Sequence, residues 1–282
     1  MAKSINCSEI LKKVLDDLYE RIEGNEAAKD PKINGAIQTL RRGFGNLAAQ
    51  TAKIDYREDV VRFAYVFKYV MAHSNYIYDI LGNVKEVEIL FRQPRTKICA
   101  VGGGPGSDVL GILKYHDSIK SDTHLVFRLI DREQLWMDSW MNVQDHIGDS
   151  LRIDTHALTF DVAIPESYIK FTAHHDSDLY TFSFFISEVY GTRATAQAFF
   201  ELLFEKAKHD SQFLFIDNND SRFFGWFDKM AEKAGLELRY TQNRTVKVWD
   251  SDEDKRNFGV YFSKFNFPKL ESDVAIRLYQ KP

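Results

Sequence analysis

Four glycines lie close together in one short segment of the chain, at Gly102, Gly103, Gly104 and Gly106. The segment follows an apolar run at residues 97–101, which predicts a buried strand, and it precedes a helical pattern. Glycine has no Cβ, so a backbone built from it can approach a ligand closely. The start of the following helix adds free N–H donors and a partial positive charge. The segment therefore predicts a ligand-binding loop at the carboxyl end of this strand.

The spacing of these glycines distinguishes between classes of ligand. The dinucleotide fingerprint G-x-G-x-x-G needs a glycine where this chain has Ser107, counting from Gly102, or Val109, counting from Gly104. A P-loop needs Gly-Lys followed by Ser or Thr, and no lysine follows these glycines. The chain has the spacing G-x-G-x-G instead, which ends at Gly106.

This loop resembles motif I of the class I S-adenosylmethionine-dependent methyltransferases. The resemblance extends over about residues 97–216 and implies a Rossmann-like fold with S-adenosyl-L-methionine as the cofactor. It also implies which residues bind the cofactor, in the order of the predicted strands. They are Gly102, Gly103, Gly104, Gly106 and Asp108 at the loop, Asp131 and Arg132 after the second strand, Asp161 and Val162 after the third, and Ser187 after the fourth.

Carboxylates carry most of this implied binding. At Asp131 the family binds both ribose hydroxyls, and a carboxylate is a double acceptor suited to a diol. At Asp161 the resemblance implies an acceptor for the adenine amino group. The chain departs from the family at Ala100, where an acidic residue usually contacts the amino acid moiety of the cofactor, and Asp108 is expected to take over part of that contact. Two structural alternatives stay open: Asp131 as a helix cap near Glu133, and Asp161 as a surface turn residue.

Three side chains are candidates for a general base. A base is needed if the acceptor is a hydroxyl or a protonated amine. Glu188 and Tyr190 follow the fourth strand, where the resemblance places the methyl group and the acceptor. His73 lies in the strongest helical pattern, residues 57–81, among several tyrosines. That helix either covers the pocket or packs as a core helix on the sheet, and the sequence does not choose among the three bases.

Short apolar runs alternate with helical patterns from residue 97 onward, which predicts βαβ units and a mainly parallel sheet. Beyond about residue 236 the runs follow one another directly, which indicates antiparallel strands. We therefore predict an α/β three-layer sandwich whose seven-stranded, mainly parallel sheet ends in an antiparallel C-terminal hairpin. The apolar runs cover residues 97–101, 124–130, 153–158, 179–186 and 212–216, and in the tail 236–240, 245–249, 259–265 and 274–279.

The part of the chain before the first strand has helical patterns only. Residues 1–93 form a predicted helical extension, and residues 94–282 form the predicted Rossmann-like methyltransferase domain. Within the extension, Asp30-Pro31 predicts a break, so that the next helix runs over about residues 35–51.

Composition limits the classes of function. The chain has 282 residues and a net charge of -4, which disfavours a dedicated nucleic-acid binder, although a local RNA contact stays open. Two cysteines are too few for a multi-cysteine zinc site, and residues 174–176 (His-His-Asp) lack further ligands, so we expect no metal. No apolar run could span a bilayer and the start lacks a signal-peptide core, so we expect a cytoplasmic protein.

The sequence thus predicts an S-adenosylmethionine-dependent methyltransferase that acts by direct displacement on a nitrogen or oxygen of its acceptor. The aromatic residues of the 57–81 helix favour a small-molecule acceptor, apolar or cationic. Three alternatives remain: an RNA methyltransferase, an aminopropyl-transferring enzyme of the same fold, and a non-catalytic cofactor-binding scaffold.

Overall fold

Seven strands form one sheet at the centre of the protein. The computed structural model describes residues 6–45, 54–147, 152–248 and 252–282, apart from the side chains of residues 142 and 252–255. The first five strands are parallel, and the last strand runs antiparallel to both of its neighbours, in the order β3-β2-β1-β4-β5-β7-β6. The strands are β1 (Arg95–Val101), β2 (His124–Asp131), β3 (Ile153–Thr159), β4 (Leu179–Ser183), β5 (Gln212–Asn218), β6 (Glu237–Lys247) and β7 (Glu271–Gln280).

The strand order reverses between β1 and β4, and this reversal decides where a ligand can bind. In open α/β sheets such a reversal opens a crevice at the carboxyl ends of the two strands. The strands β1, β4 and β5 are buried along almost their whole length, which explains their nearly continuous apolar sequences. The edge strands β3 and β6 are largely exposed and correspondingly more polar.

Helices cover both faces of the sheet. A turn of π-helix (Val66–Val70) joins α3 to α4, so that the three form one continuous helical segment. Among the described residues, no helix has the length and apolarity that a membrane span requires. The helices are α1 (Cys7–Arg21), α2 (Glu26–Gly45), α3 (Asp59–Tyr65), α4 (Met71–Asn83), α5 (Ser107–Ser118), α6 (Leu135–Ile147), α7 (Ile186–Val189), α8 (Arg193–Lys206), α9 (Ser221–Lys233) and α10 (Asp252–Phe265), with 3-10 segments at Lys85–Arg92, Pro165–His174 and Tyr190–Thr192.

The first helices pack against a helix from the other end of the chain. In α10, the Tyr261 hydroxyl donates a hydrogen bond to Asp16 of α1 at 2.6 Å. Lys264 forms ion pairs with Glu26 at 2.7 Å and with Asp30 at 3.2 Å, both in α2. The helical layer over this end of the sheet is therefore built from both the start and the end of the sequence.

The predicted fold class is confirmed, since the sheet has seven strands, five of them parallel, and an antiparallel C-terminal pair. The strand predicted at residues 259–265 is wrong, because this stretch belongs to the helix α10. Its buried residues Phe258, Tyr261 and Phe265 recur at helical spacing and pack on the N-terminal helices. The stretches 236–240 and 245–249 belong to one longer strand, β6, as far as residue 247.

The predicted break at Asp30-Pro31 is also wrong, because α2 begins at Glu26 and continues through the proline. Pro31 lies in the second turn, where its missing N–H removes a single intrahelical hydrogen bond. Contacts offset this cost: the Asn25 side chain accepts from the N–H of Ala28 at 3.1 Å, and the Tyr19 hydroxyl donates to Asp30 at 2.7 Å. Part of the helix predicted for residues 35–51 lies outside the described residues.

Candidate active site

The glycine loop after β1 has a backbone that only glycine adopts easily. Gly102, Gly104 and Gly106 have φ values of +71°, +47° and +90°. A Cβ at Gly102 would collide with the ring of Phe185, and one at Gly106 with the ring of Trp140. A Cβ at Gly104 would meet no atom within 4 Å. The G-x-G-x-G spacing therefore marks three backbone positions that need glycine, and open space lies next to the middle one.

Asp131 ties the end of β2 to this loop. One carboxylate oxygen accepts the N–H of Gly104 at 3.0 Å, and the other accepts the N–H of Glu133 at 2.9 Å. Gly103 donates its own N–H to the carbonyl of Ile130 at 3.1 Å, which fixes the loop to the same strand. Burial raises the pKa of Asp131 to about 6. Asp131 thus makes the turn contact that the structural alternative predicts, and its carboxylate also lines a cavity.

That cavity, here called the central cavity, has a volume of about 100 Å³ and lies at the ends of β1, β2, β3 and β4. Asp161 lines it, and its carboxylate accepts the N–H of Ala163 at 2.9 Å in a tight turn. A wider cavity of about 710 Å³ adjoins it and shares Arg132, Phe160 and Asp161. Five of the predicted cofactor-binding residues line the central cavity: Gly102, Asp131, Arg132, Asp161 and Val162.

Asp108 lies beneath the glycine loop at the start of α5. It is 3% exposed, and one of its oxygens accepts a hydrogen bond from the Thr181 hydroxyl at 2.7 Å. The Ser183 hydroxyl also acts on this carboxylate and, with Thr181, opposes the effect of burial on its pKa. Burial raises the pKa of Asp108 to about 6. Ala100, the position where the family usually carries an acidic residue, is also buried, so a carboxylate near this part of the loop comes from Asp108.

The chain turns sharply where β4 ends. Phe184 has φ = +54°, a left-handed conformation that is unusual for an aromatic residue and is found mostly at functional sites. Its N–H donates to the carbonyl of Ile216 at 2.7 Å. Its ring stacks on His73 of α4, with the ring centroids 3.9 Å apart and the planes 13° from parallel. Phe184 lines both the central cavity and a second one, and His73 lines the second.

This second cavity, here called the aromatic cavity, has a volume of about 460 Å³. It lies between the sheet edge and the helices α2, α3 and α4 with their π-turn. Tyr65, Phe184 and Glu188 line both the aromatic and the central cavity, so the two adjoin at these side chains. The lining comprises rings (Phe44, Tyr65, Tyr69, His73, Phe184), basic side chains (Arg41, Lys68, Lys269) and Gly45, Ser187, Glu188 and Asn218.

Glu188 is placed at this junction by α7, a single helical turn after β4. Within the described part of the chain, its carboxylate forms no ion pair. Burial raises the pKa of Glu188 to about 8, the negative charge of Asp131 raises it further, and Arg132 opposes the rise. Glu188 is therefore a carboxylate that changes charge near neutral pH, between the two cavities.

The other two base candidates differ in position. His73 lines the aromatic cavity, and burial holds its pKa well below the usual value, so the imidazole is neutral at pH 7. Tyr190 lines none of the three cavities described above. Its ring packs against Phe223 and Trp226, and Arg193 lies over it at 4.5 Å. Glu188 and His73 therefore line the cavities, and Tyr190 does not.

Ser187, the last of the predicted cofactor residues, belongs to the aromatic cavity. It is buried, and its N–H donates to Asp217 at 2.8 Å. The side-chain amide of Asn218 lies 3.4 Å from the Ser187 hydroxyl. These contacts connect the turn after β4 with the end of β5, so both strands contribute to the floor of the cavity.

The arrangement of the sheet is now sufficient to classify the fold. Five parallel strands are followed by an antiparallel strand inserted between β5 and β6, and the glycine loop follows the central strand β1. The chain has the class I methyltransferase fold. The central cavity lies at the carboxyl ends of β1, β2 and β3.

Comparison with known proteins gives similarities of fold only. No protein-family model matches the chain, and no curated protein does. A SAM-dependent methyltransferase from Methanosarcina mazei is 9% identical over 72% of this chain and 96% of its own, with a TM-score of 0.44. A precorrin-6y C5,15-methyltransferase from Geobacter metallireducens is 9% identical over 70% of this chain and 86% of its own, with a TM-score of 0.43. A "possible exported protein" from Bordetella parapertussis is 10% identical over 97% of this chain and 94% of its own, with a TM-score of 0.48.

The residues at the central cavity suit S-adenosylmethionine chemically. The backbone at Gly104 is open to close approach, and the Asp131 carboxylate keeps further lone pairs beyond its two backbone contacts. Asp161 presents a carboxylate at the end of β3. Acceptors for hydroxyl and amino groups therefore line a space beside the glycine loop.

The sequence did not identify the basic residues of the aromatic cavity. Lys269 precedes β7 and reaches the site only through tertiary contacts: its N–H donates to the carbonyl of Lys68 at 2.9 Å, and its own carbonyl accepts from the Tyr76 hydroxyl. Arg41 lies on the exposed side of α2 and looks like an ordinary surface residue in the sequence. Lys68 was detectable in principle, since it lies in the same helical pattern as Tyr65, three residues further along.

We expect Glu188→Gln to flatten the fall in stability between pH 7 and 9. The fold raises the pKa of Glu188 from 4.5 to about 8, so its contribution is complete below pH 4.5 and is lost as pH rises through about 8. Asp131 and Asp217 have pKa values of about 6, so their losses occur mostly at lower pH. Melting temperatures of both proteins between pH 6.5 and 9 measure the difference in stability. Each kcal/mol of unfolding free energy shifts the melting temperature by roughly 2–4 °C.

The exposed Glu166 provides the control for this measurement. Glu166→Gln removes the same charge from the surface. The melting temperature of this variant should fall with pH as steeply as that of the wild-type protein. A Glu188→Gln protein whose melting temperature falls as steeply as that of the wild type above pH 7 would show that Glu188 titrates as it does in an unfolded chain.

Proposed function

We propose that this protein is an S-adenosylmethionine-dependent methyltransferase whose acceptor is a small molecule. The observation that carries the proposal is the junction of the central and aromatic cavities. Tyr65, Phe184 and Glu188 belong to both, so a cofactor in one cavity and an acceptor in the other would meet beside a carboxylate.

Each cavity supplies part of the chemistry. The loop at Gly102 and Gly104, with Asp131 and Asp161, would hold the cofactor. When bound, S-adenosylmethionine supplies a methyl group that its sulfonium has already activated for displacement. The protein then contributes alignment of the acceptor and exclusion of water, and the stacked rings of Phe184 and His73 between the cavities serve both purposes.

Glu188 is the general base in this proposal. A hydroxyl or protonated amine of the acceptor gives its proton to the Glu188 carboxylate. The acceptor oxygen or nitrogen would then take up the methyl group that S-adenosylmethionine would supply, and the sulfur would keep the electron pair of the broken carbon–sulfur bond. A base works best when its pKa lies near the working pH, and the pKa of about 8 meets this condition.

The shape and charge of the aromatic cavity favour a small molecule over the alternatives. Its volume of about 460 Å³ lies within the range of pockets for small ligands. The helices α2, α3 and α4 form one wall of it, whereas an RNA substrate needs a long open groove that follows its phosphates. A polyamine substrate of an aminopropyl-transferring enzyme needs several acidic side chains, and this lining has one carboxylate, Glu188, against three basic residues.

Titration calorimetry with S-adenosylhomocysteine and with NAD tests the cofactor. We expect one molecule of S-adenosylhomocysteine per chain and no binding of NAD, and tight NAD binding without a response to S-adenosylhomocysteine would overturn the proposal. Incubation of the protein with methyl-labelled S-adenosylmethionine and fractionated cell extract tests the acceptor. Label in the small-molecule fraction supports the proposal, and label in RNA or protein contradicts it. Binding of S-adenosylhomocysteine with no label in any fraction would favour the non-catalytic scaffold.

A further inference from the structure

We propose that the acceptor carries an anionic group, a carboxylate or a phosphate, on a flat and largely apolar body. This inference rests on the proposed function, because it concerns the ligand of the same aromatic cavity. The sequence alone favoured an apolar or cationic acceptor. The three basic side chains that the fold gathers in the cavity change that expectation.

The three basic residues come from distant parts of the chain. Arg41 belongs to α2, Lys68 to the π-turn, and Lys269 to the segment before β7. They lie close enough that the charges of Arg41 and Lys269 both lower the pKa of Lys68, in addition to the effect of burial. The fold thus brings three positive charges to the wall of one cavity.

These charges have little compensation from the protein. Lys68 donates its ammonium group to a neutral acceptor, the carbonyl of Phe267, at 2.6 Å. Among the described residues, none of the three basic side chains forms an ion pair with a carboxylate. Asp217 is the acidic group that acts on Lys269, and its carboxylate is already held by the N–H groups of Ser187 and Asn218. Arg41 is exposed, but Lys68 and Lys269 are half-buried, and an anionic ligand would supply the ion-pair partner that these two lysines lack in the described part of the chain.

The three basic residues lie apart from the proposed base, Glu188. The charges that act most strongly on Glu188 are those of Asp131, Arg132 and Asp217, and the three basic residues of the cavity are not among them. An acceptor could therefore present a nucleophile to Glu188 and an anionic group to Lys68 and its neighbours. The same molecule would be held at both ends.

The rest of the wall is flat and aromatic. Phe44 and Tyr69 pack edge to face, with their ring centroids 4.9 Å apart, and the stacked rings of His73 and Phe184 form another surface. Rings of this kind favour a planar apolar ligand, and burial keeps the His73 ring neutral. The combination of rings and basic groups is suited to an aromatic acid or an aromatic phosphate.

Calorimetry with four matched probes tests this inference without turnover. The probes are 1-naphthoate, 1-naphthyl phosphate, 1-naphthalenemethanol and 1-naphthylmethylamine, each titrated into the full chain with S-adenosylhomocysteine present and again without it. We expect at least one anion to bind about tenfold more tightly than the alcohol, and the amine to bind more weakly still. The tighter of the two anions identifies the anionic group. Equal affinity for alcohol and anions, or tighter binding of the amine, would overturn the inference.

Two neighbouring arginines of α2 provide the matched variants. Both arginines are exposed, but only Arg41 lines the cavity, and Arg41→Gln and Arg42→Gln change the net charge equally. We expect Arg41→Gln to weaken binding of the preferred anion about five- to tenfold and Arg42→Gln to leave it unchanged. Equal losses in both variants would show a general charge effect and contradict the inference.

The failure of this inference is distinguishable from the failure of the proposed function. Binding of S-adenosylhomocysteine without any preference for anions would contradict the inference alone. A preference for anions without binding of S-adenosylhomocysteine would leave an anion-binding cavity and contradict the methyltransferase.

Discussion

Replacing Gly104 with alanine is expected to remove S-adenosylhomocysteine binding from a chain that still folds. The residue has φ = +47°, and a Cβ there would meet no protein atom within 4 Å, so the protein itself has room for the methyl group. The methyl group would instead occupy the space next to the loop, where the cofactor must approach the backbone. We expect calorimetry to show a loss of affinity of more than about 100-fold, roughly 3 kcal/mol.

Gly235 is the matched control for this substitution. It has φ = +74°, and a Cβ there would also meet nothing within 4 Å. It follows α9 and leads into the edge strand β6, whereas the glycine loop follows the central strand β1. In both variants the left-handed conformation lowers the free energy of unfolding by about 1–2 kcal/mol, so thermal melting should show similar losses of stability. Normal binding by Gly104→Ala, or an equal loss of binding by Gly235→Ala, would show that the loop does not hold the cofactor.

Glu188→Gln is expected to reduce methyl transfer about 10²- to 10⁴-fold, the usual contribution of a general base. The assay is the transfer of label from S-adenosylmethionine into the small-molecule fraction that the wild-type protein labels. For the wild type, the rate should rise with pH through about 8, because the carboxylate must be deprotonated to accept a proton. The variant should lack this rise, and its affinity for S-adenosylhomocysteine should change little.

Tyr190→Phe serves as the comparison, because Tyr190 packs against Phe223 and Trp226 away from both cavities. We expect its rate to stay within about twofold of the wild-type rate. A Glu188→Gln protein that retains the pH profile would exclude Glu188 as the base. A large loss in Tyr190→Phe would assign the role to the tyrosine instead.

The parts of this protein that sequence could predict are those with a local cause. The glycine loop follows from backbone geometry, since three of its glycines have left-handed conformations. Strands β1 and β5 are buried on both faces, so their apolar runs are unambiguous. Asp131 ends β2 and Asp161 lies two residues after β3, and parallel strands bring their carboxyl ends to one edge.

The parts that sequence could not predict depend on contacts between distant segments. Residues 259–265 are apolar and aromatic enough to suggest a strand. They form a helix because the apolar residues at helical spacing pack on the N-terminal helices, a contact that the sequence does not reveal. Lys269 lies in an irregular segment that a backbone hydrogen bond ties to the carbonyl of Lys68. The cavity that these contacts create is the part of the site that would select the acceptor, so the sequence indicated the cofactor more clearly than the substrate.

The docking of α10 on α1 and α2 has a consequence for the biogenesis of the protein. Roughly 200 residues separate α2 from α10, so at about 5–20 residues per second the ribosome needs roughly 10–40 s to deliver the partner of the first helices. The strand β7 arrives later still, although it lies between β5 and β6 in the finished sheet. A nascent chain stopped before residue 252 would carry an uncovered apolar face on α1 and an open edge on β5, both of which invite aggregation. We therefore expect truncated translation products to depend on chaperones, and the native structure to form only after residues 252–280 have been synthesised.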